Sequence, residues 1–214
     1  MFHFRKKELF IPFYRRYSSN FQNSLLKTLY SKDLRKMGVK KVGEGISVDP
    51  TVRIINPSKL EIGSNTRIDA FAVLSAGNGG ISIGDYVHIG SHAFMAGSGH
   101  IRIGDFTGLS GRVSIYSSND DYSGEYLTGP TIPVKFRNIT TGAVIIGRHT
   151  IIGAGSIILP NITIGNGVAA GALSFINKDV QNFKIVAGCP IKVISERSQT
   201  LLELETEFIK NLSE

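Results

Sequence analysis

Aliphatic residues recur at every sixth position over most of the chain, and this period constrains the fold more than any other feature. The residues in this phase are Ile62, Ile68, Leu74, Ile83, Ile89, Met95, Ile103, Leu109, Ile115, Ile146, Ile152, Ile158, Ile164, Ala170 and Ile176. A helix repeats every 3.6 residues and a half-buried strand every two, so neither produces a period of six. Each hexad is instead interpreted as a short strand followed by a turn, a repeat typical of solenoids.

A second inward position follows most of these aliphatic residues by four. It holds a small or β-branched side chain: Thr66, Ala72, Val87, Ala93, Thr107, Val113, Thr150, Ser156 and Ile162. Three hexads make one triangular coil of about 18 residues, so the pattern predicts an all-β solenoid, a parallel β-helix. The steps from Leu74 to Ile83 and from Met95 to Ile103 exceed six residues, which indicates insertions at corners of the coil.

The repeat stops for about two dozen residues, at roughly 116–143, and this stretch contains "SSNDDYSGEY". Asn and Asp form turns readily, so one interpretation is a solvated turn. Excursions of this length inside a compact fold are usually functional or disordered, and Tyr122, Tyr126 and Pro133 favour an ordered one. The sequence therefore predicts one long inserted loop that belongs to the functional site.

Helical patterns flank the repeat and predict terminal caps. The first lies in "NSLLKTLYSKDLRKMG", with apolar residues at Leu25, Leu26, Leu29, Tyr30 and Leu34 and an end near Gly38. The second places Leu201, Leu204, Phe208 and Leu212 on one helical face. We therefore predict a basic N-terminal helical segment at 1–42, the β-helix domain at 43–194 and a C-terminal helix at 195–214.

Charge is concentrated at the N-terminus, where residues 1–41 hold 11 Lys and Arg against 2 Asp and Glu. Such a segment could touch anionic lipid weakly, or it could be the solvated face of a helix. The rest of the chain is close to neutral, which argues against nucleic-acid binding as the main function. The five His share no short spacing, so no metal site is expected. One cysteine, Cys189, and the lack of a long apolar run favour a cytoplasmic protein.

The stretch 151–197 resembles the left-handed β-helix acyltransferases, in the sugar and galactoside acetyltransferase branch. "IYSSNDDYSGEYLTGPTIP" is further similar to acetyltransferases of bacterial surface-polysaccharide clusters, including those that act on dTDP-4-amino-4,6-dideoxyhexoses. The resemblance implies a left-handed coil and a homotrimer with active sites between subunits. It also implies acetyl-CoA as donor and a nucleotide sugar as acceptor.

The resemblance also implies cofactor-binding positions along the last coils. Ala154 and Ala172 match backbone contacts to the pantetheine arm, and Asn177 matches a polar contact. Lys178 matches a family lysine near the nucleotide end, and Lys192 matches a family arginine and suits the phosphates of the cofactor. A plain surface lysine is the alternative for both. A further family arginine is Ser195 here, so that contact is lost unless Arg197 replaces it. Cys189 lies in a turn position, where a structural role is expected.

One departure from the galactoside enzymes bears on the chemistry. Those enzymes place a catalytic His early in the excursion. Alignment on "VSIYSSND" puts Asp120 at or beside that position, and no His lies between His100 and His149. A hydroxyl acceptor needs a strong base, whereas a sugar amine is partly neutral near pH 7 to 8. Asp120 or Asp121 could orient an amine and collect its proton.

The sequence thus predicts N-acetylation of a nucleotide-linked amino-deoxy sugar. Asp120, Asp121 and His88 are the candidate catalytic residues, and Asn119, Tyr122 and His92 the candidate substrate-binding residues. O-acetylation of a sugar or glycan, with His88 or His92 as base, stays open. So does a non-catalytic hexapeptide-repeat scaffold.

Overall fold

The computed structural model describes residues 27–212, and they form a parallel β-helix with three flat faces, as predicted. The first face consists of the strands Lys41–Val42, Leu60–Ile62, Ile81–Ile83, Ile101–Ile103, Val144–Ile146 and Ile162–Ile164. The second face consists of Ser47–Val48, Arg67–Ile68, His88–Ile89, Gly108–Leu109, Ile151–Ile152, Ala169–Ala170 and Lys184–Ala187. The third face consists of Arg53–Ile55, Val73–Ala76, Phe94–Gly97, Ser114–Tyr116, Ile157–Ile158 and Phe175–Ile176. One strand from each face makes one coil, which gives six complete coils.

The interior confirms both inward positions of the hexad. Every aliphatic residue of the six-residue phase is at most 5% exposed, and the small residues four positions on are buried as well. Buried hydroxyl groups bond to the carbonyl of the next coil, as Thr66 does to Gly84 at 3.0 Å and Thr107 to Gly147 at 3.0 Å. The polar inward residues therefore connect neighbouring coils instead of leaving unpaired groups in the core.

The corners between the first and second faces carry bulky residues in the left-handed backbone region. Tyr86, Phe106 and His149 have φ values of 56°, 56° and 57°, and they stack on successive coils. The ring centroids lie 4.9 Å apart for Tyr86 and Phe106 and 5.0 Å apart for Phe106 and His149. Because the coils are evenly spaced, the aromatic side chains that recur at this corner stack on one another.

The excursion leaves the third face after the fourth coil and returns to the first face. Its base is a short antiparallel pair, Ser118–Asn119 with Thr140–Thr141, and a 3-10 helix, Val134–Phe136, lies within it. Ser117 is fully buried at the point of departure, and its carbonyl accepts a hydrogen bond of 3.1 Å from the N–H of Gly142. The predicted inserted loop is confirmed, and it is closed at its base by backbone hydrogen bonds.

The N-terminal cap is shorter than the predicted helix. The strand Leu29–Tyr30 pairs antiparallel with Ser47–Val48, and helix α1 covers only Ser31–Lys36. The prediction is wrong at Leu29 and Tyr30, because the free edge of the first coil offers hydrogen-bonding partners that a helical pattern does not reveal. A second 3-10 helix, Pro57–Lys59, follows the first coil. Leu25, Leu26 and the basic segment before them lie outside the described residues.

The C-terminal cap consists of a strand and a helix. The strand Lys192–Glu196 pairs antiparallel with Lys184–Ala187, so Ser195 and Glu196 do not begin the helix as predicted. Helix α2 covers Thr200–Leu212, and the hydroxyl of Ser198 accepts a bond from the N–H of Thr200 just before it. Phe208 contacts Tyr86 and Phe106 edge-on, which anchors α2 on the aromatic stack.

Candidate active site

Small residues form a smooth wall at the corner between the second and third faces. In three successive coils the corner holds Ser110–Gly111, Gly153–Ala154 and Gly171–Ala172. The side chains of Ala154 and Ala172 point outward into solvent. A Cβ atom on Gly153 would overlap the backbone nitrogen of Ala172, so glycine is required for the coils to pack this closely. The two predicted pantetheine contacts therefore lie on one exposed surface.

Lys192 lies close to the upper end of this wall. Lys192 pairs with Ala187, and the side chain of Lys192 is exposed. A Cβ built on Gly171 would lie 3.0 Å from the Cβ of Ala187. Asn177 and Lys178 are exposed as well, but they follow the third-face strand, at its other end from Ala172. The structure thus places Lys192 with the alanine wall and separates Asn177 and Lys178 from it by the width of one face.

Arg197 has a structural role that the sequence did not indicate. One nitrogen of its guanidinium donates to the carbonyl oxygens of His149 at 2.8 Å, Gly167 at 3.1 Å and Val168 at 3.2 Å. Burial lowers the pKa of this arginine from its ordinary value. The guanidinium of Arg197 is thus bonded to backbone carbonyls of two neighbouring coils.

The base of the excursion forms a cleft of about 570 Å³ against the third face. Its lining is aromatic and aliphatic apart from one amide: Tyr116, Asn119, Tyr122, Ile157, Leu159 and Phe175. Asn119 is half-buried, whereas the side chain of Tyr122 is 90% exposed. Two of the three predicted substrate-binding residues are therefore brought together in one cleft.

The adjacent carboxylates Asp120 and Asp121 have different environments. Asp121 accepts bonds from the hydroxyl of Ser123 at 2.9 Å and from the N–H of Gly124 at 2.9 Å. Desolvation acts to raise the pKa of Asp121, but these hydrogen bonds outweigh it and hold the pKa below its usual value. Asp120 is exposed and makes no hydrogen bond or ion pair with any residue in 27–212. Asp121 thus stabilises the loop, and Asp120 is available to a ligand.

Below the wall, His88 lies on the outer side of the second face. Its Nε2 is 2.8 Å from Oδ2 of Asp69, and Nε of Arg67 donates to Oδ1 of the same carboxylate at 2.6 Å. The predicted outward direction of His88 is correct. Asp69 was not predicted. Ile68 pairs with Ile89 on the next coil, Asp69 directly follows Ile68, and His88 directly precedes Ile89. Counting hexads would therefore have placed Asp69 close to His88.

The other histidines among residues 27–212 have structural partners. His92 stacks on Phe71 at the corner below Arg112, with ring centroids 5.1 Å apart, and is exposed. Nδ1 of His100 lies 2.8 Å from the carbonyl oxygen of Gly79. The side chain of His149 is only 10% exposed, and its Nε2 lies 2.8 Å from Glu205 of α2. Among residues 27–212 no group of three or more His, Cys, Asp or Glu could hold a metal, and no helix is long and apolar enough to cross a membrane.

Comparison with known proteins identifies the family. No family model matches the sequence. A dTDP-4-amino-4,6-dideoxy-D-glucose acyltransferase of Escherichia coli is 47% identical over 175 residues, which cover 82% of this chain and 91% of that protein. A putative lipopolysaccharide biosynthesis O-acetyl transferase, WbbJ of E. coli K12, is 30% identical over 63% of this chain and 67% of its own length.

Solved structures of AntD, an N-acyltransferase of Bacillus cereus, share the fold. A variant in complex with dTDP-4-amino-4,6-dideoxyglucose and coenzyme A is 39% identical, with a TM-score of 0.82 over 86% of this chain and 98% of AntD. Another AntD structure contains dTDP and 3-hydroxybutyryl-CoA, with the same identity and TM-score. The chain is therefore an acyltransferase that uses a CoA thioester, and it belongs to the dTDP-4-amino-4,6-dideoxy-sugar acyltransferases of the hexapeptide-repeat β-helix class.

Proposed function

We propose that the protein transfers an acetyl group from acetyl-CoA to the amino group of a dTDP-4-amino-4,6-dideoxyhexose used for bacterial surface polysaccharide. The observation that carries the proposal is the excursion, where an exposed Asp120 lies at or beside the position at which the galactoside enzymes have a histidine. The E. coli relative named for a dTDP-amino sugar and the AntD complex with such a sugar support the acceptor. An amine acceptor fits a carboxylate, because a neutral amine is nucleophilic without a strong base.

The amino-acid pattern around Asp120 supports its role further. AntD structures were solved for variants of a serine and for variants of an aspartate that lies ten positions further along the chain. This chain has serine and aspartate at that spacing, Ser110 and Asp120, with Ser110 at the lower end of the small-residue wall. We propose that Asp120 binds the acceptor amine and that the hydroxyl of Ser110 lies near the thioester, where it can donate to the developing oxyanion.

The donor would lie along the wall of small residues. A pantetheine arm over Ala154 and Ala172 places the thioester at Ser110, and Lys192 then lies near the phosphates at the upper end. Asn177 and Lys178 lie at the other end of the third face, so they would contact the nucleotide end of CoA only from that corner. Lysine serves phosphate as a mobile point charge, which suits an exposed position such as Lys192.

We also propose that the active unit is a homotrimer. The outer side of the third face carries a row of apolar side chains, Ile55, Val73, Phe94, Tyr116, Ile157 and Phe175, next to the polar residues Arg53, Ser75 and Ser114. Asp120 and Tyr122 are open to solvent in a single chain. A neighbouring subunit on this face would cover the apolar rows and would enclose the site, which catalysis at a thioester requires.

The proposed function is tested by incubating the protein with acetyl-CoA and a panel of dTDP- and UDP-linked sugars that carry either an amine or only hydroxyl groups, while free thiol is followed. Turnover with 4-amino sugars alone supports the proposal. Turnover with hydroxyl acceptors alone would instead support the O-acetylation suggested by the likeness to WbbJ. Absence of CoA binding in calorimetry would leave only a scaffold function.

The identity of the acyl group needs its own experiment, because AntD was solved with 3-hydroxybutyryl-CoA. Acetyl-CoA and 3-hydroxybutyryl-CoA are compared at equal concentration with one 4-amino sugar. A higher kcat/KM for acetyl-CoA supports acetyl transfer, and the opposite order contradicts it. Ala154→Phe should weaken CoA binding at least tenfold by blocking the wall, whereas Thr163→Phe, on the exposed outer side of the first face, should not.

A further inference from the structure

The cleft at the base of the excursion has an apolar floor on the side of the β-helix. Outward side chains from three successive coils of the third face build this floor: Tyr116, Ile157, Leu159 and Phe175. The ring of Tyr116 packs on Phe94 of the coil below, with centroids 5.6 Å apart, so aromatic surface continues beneath the cleft. Such a floor favours a hydrocarbon group over a hydroxyl, because a hydroxyl buried without a partner loses its hydrogen bonds to water.

The polar atoms of the cleft lie mainly on the side of the excursion. The side-chain amide of Asn119 makes no hydrogen bond with any residue in 27–212, so its oxygen can accept and its nitrogen can donate. Tyr122, which is 90% exposed, borders the cleft from the solvent side. Leu159 lies on the coil above Tyr116, since the residues before them, Ile158 and Ile115, are paired. Leu159 therefore places an aliphatic side chain directly beside the base of the excursion.

Asp120 lies at the edge of this cleft. The residue before Asp120 and the residue after Asp121 both line it, as Asn119 and Tyr122. Consecutive Cα atoms are about 3.8 Å apart, so the carboxylate of Asp120 is within the reach of one residue from the lining. Asp120 itself is exposed. A cation bound by Asp120 would therefore have the amide of Asn119 and the apolar floor close to it.

The proposed acceptor has groups that match these three features. In a 4-amino-4,6-dideoxyhexose, C4 carries the amine. The ring carbon on one side, C5, carries C6 as a methyl group, and the ring carbon on the other side, C3, carries a hydroxyl. An ammonium, a methyl group and a hydroxyl thus lie together at one edge of the sugar. The cleft has a carboxylate, an aliphatic and aromatic floor, and a free amide in one neighbourhood.

We propose that this cleft selects the 6-deoxy sugar, an inference that rests on the proposed function. Asp120 binds the ammonium at C4, Leu159 and the ring of Tyr116 contact the C6 methyl, and the amide of Asn119 bonds to the hydroxyl at C3. A hydroxyl at C6 would instead lie against Leu159, which cannot form a hydrogen bond. The neighbouring subunit proposed on the third face would cover the cleft and strengthen this discrimination, because it removes the water that could bond to such a hydroxyl.

Kinetics with two acceptors test the proposal. The acceptors are dTDP-4-amino-4,6-dideoxyglucose and dTDP-4-amino-4-deoxyglucose, which differ only in the hydroxyl at C6, and acetyl-CoA is the donor. The parent protein should favour the 6-deoxy sugar by about 10- to 100-fold in kcat/KM. Leu159→Asn keeps a similar volume and offers an amide to the C6 hydroxyl, so the preference should fall to about threefold or less. Ile145→Asn, the control, replaces a half-buried aliphatic residue on the outer side of the first face and should leave the preference within about twofold of the parent value.

A second variant separates the two contacts of the sugar. Asn119→Ala removes the amide proposed for the C3 hydroxyl, which both acceptors carry. It should therefore lower kcat/KM for both by the same factor, about tenfold, and leave their ratio unchanged. A change in the ratio in Asn119→Ala, equal to that in Leu159→Asn, would contradict the assignment of one group to each residue.

The position of the methyl group can be measured without turnover. Saturation-transfer NMR of the bound 6-deoxy amino sugar, without CoA, should give the strongest signal of the sugar ring at the C6 methyl, and a weaker one there in Leu159→Asn. A weak methyl signal in the parent protein, or equal use of the two acceptors, would overturn the inference. It is overturned as well if Leu159→Asn alters the choice between acetyl-CoA and 3-hydroxybutyryl-CoA but not between the sugars, since the cleft would then hold the acyl chain. Absence of turnover with every amino sugar would instead count against the proposed function.

Discussion

At the scale of single residues, neighbouring side chains of the same type have different environments. Asp120 and Asp121 are adjacent, and the sequence treats them as equal candidates. The structure separates them because Asp121 closes a turn with Ser123 and Gly124, whereas Asp120 has no partner within residues 27–212. Such a difference arises from the local path of the loop, so it could not be predicted from residue type.

This difference gives a direct prediction for activity. Asp120→Asn should lower kcat/KM for the amino sugar by about 100-fold or more, because the charge that holds the acceptor is lost. Asp121→Asn should change it less than fivefold while lowering the melting temperature slightly. Steady-state assays and thermal melts of the two variants check this. Equal losses of activity, or a larger loss in Asp121→Asn, would contradict the assignment.

Asp69 gives a prediction for stability against pH. Its pKa is lowered in the folded protein from an ordinary value of 3.8, so its ionised form stabilises the fold above that value, and this contribution is lost as the pH falls through the folded pKa. The melting temperature of Asp69→Asn should therefore lie below that of the parent at pH 7 and should converge with it between pH 4 and about pH 2. Calorimetry over this range measures the difference, and a gap that widens on acidification is the contrary result.

At the scale of elements, the hexad positions could be predicted fully and the caps only in part. Inward residues repeat with the coil, so periodicity alone identifies them. Leu29 and Tyr30 also fit a helical pattern, yet the unpaired edge of the first coil binds them as a strand. Helix α2 was predicted from Leu201, Leu204, Phe208 and Leu212, but its docking on the corner stack of Tyr86, Phe106 and His149 depends on packing that local periodicity does not encode.

The carboxylate of Glu205 holds helix α2 on the β-helix, and its contribution to stability can be measured. Glu205 is 10% exposed and pairs with both Arg148 and His149. Glu205→Gln should lower the free energy of unfolding by about 2 kcal/mol, between the values of exposed and fully buried ion pairs. Glu207→Gln, on an exposed position of the same helix, should change it by less than about 0.5 kcal/mol. Denaturant titrations of the two variants give the comparison, and equal effects would show that the pair does not anchor α2.

At the scale of the whole molecule, the third face makes the proposed trimer testable. The parent protein should have a solution mass near three times 23.2 kDa. Ile157→Asp puts a charge in the outer apolar row and should shift the protein toward the single-chain mass at micromolar concentration. Thr163→Asp, an exposed substitution on the first face, should leave the mass unchanged. Light scattering after gel filtration separates the outcomes, and a monomeric parent protein would refute the trimer.

The way the excursion is closed has a consequence for how such proteins diversify. The hydroxyl of Thr107 bonds to Gly147 across the excursion, and Gly142 bonds to Ser117 at its base, so the fourth and fifth coils join as if the intervening residues were absent. Changes between Asn119 and Thr140 therefore need not disturb the stacking of coils. Exchange of this single loop can therefore change the surface beside the third face while the wall of small residues is inherited unchanged.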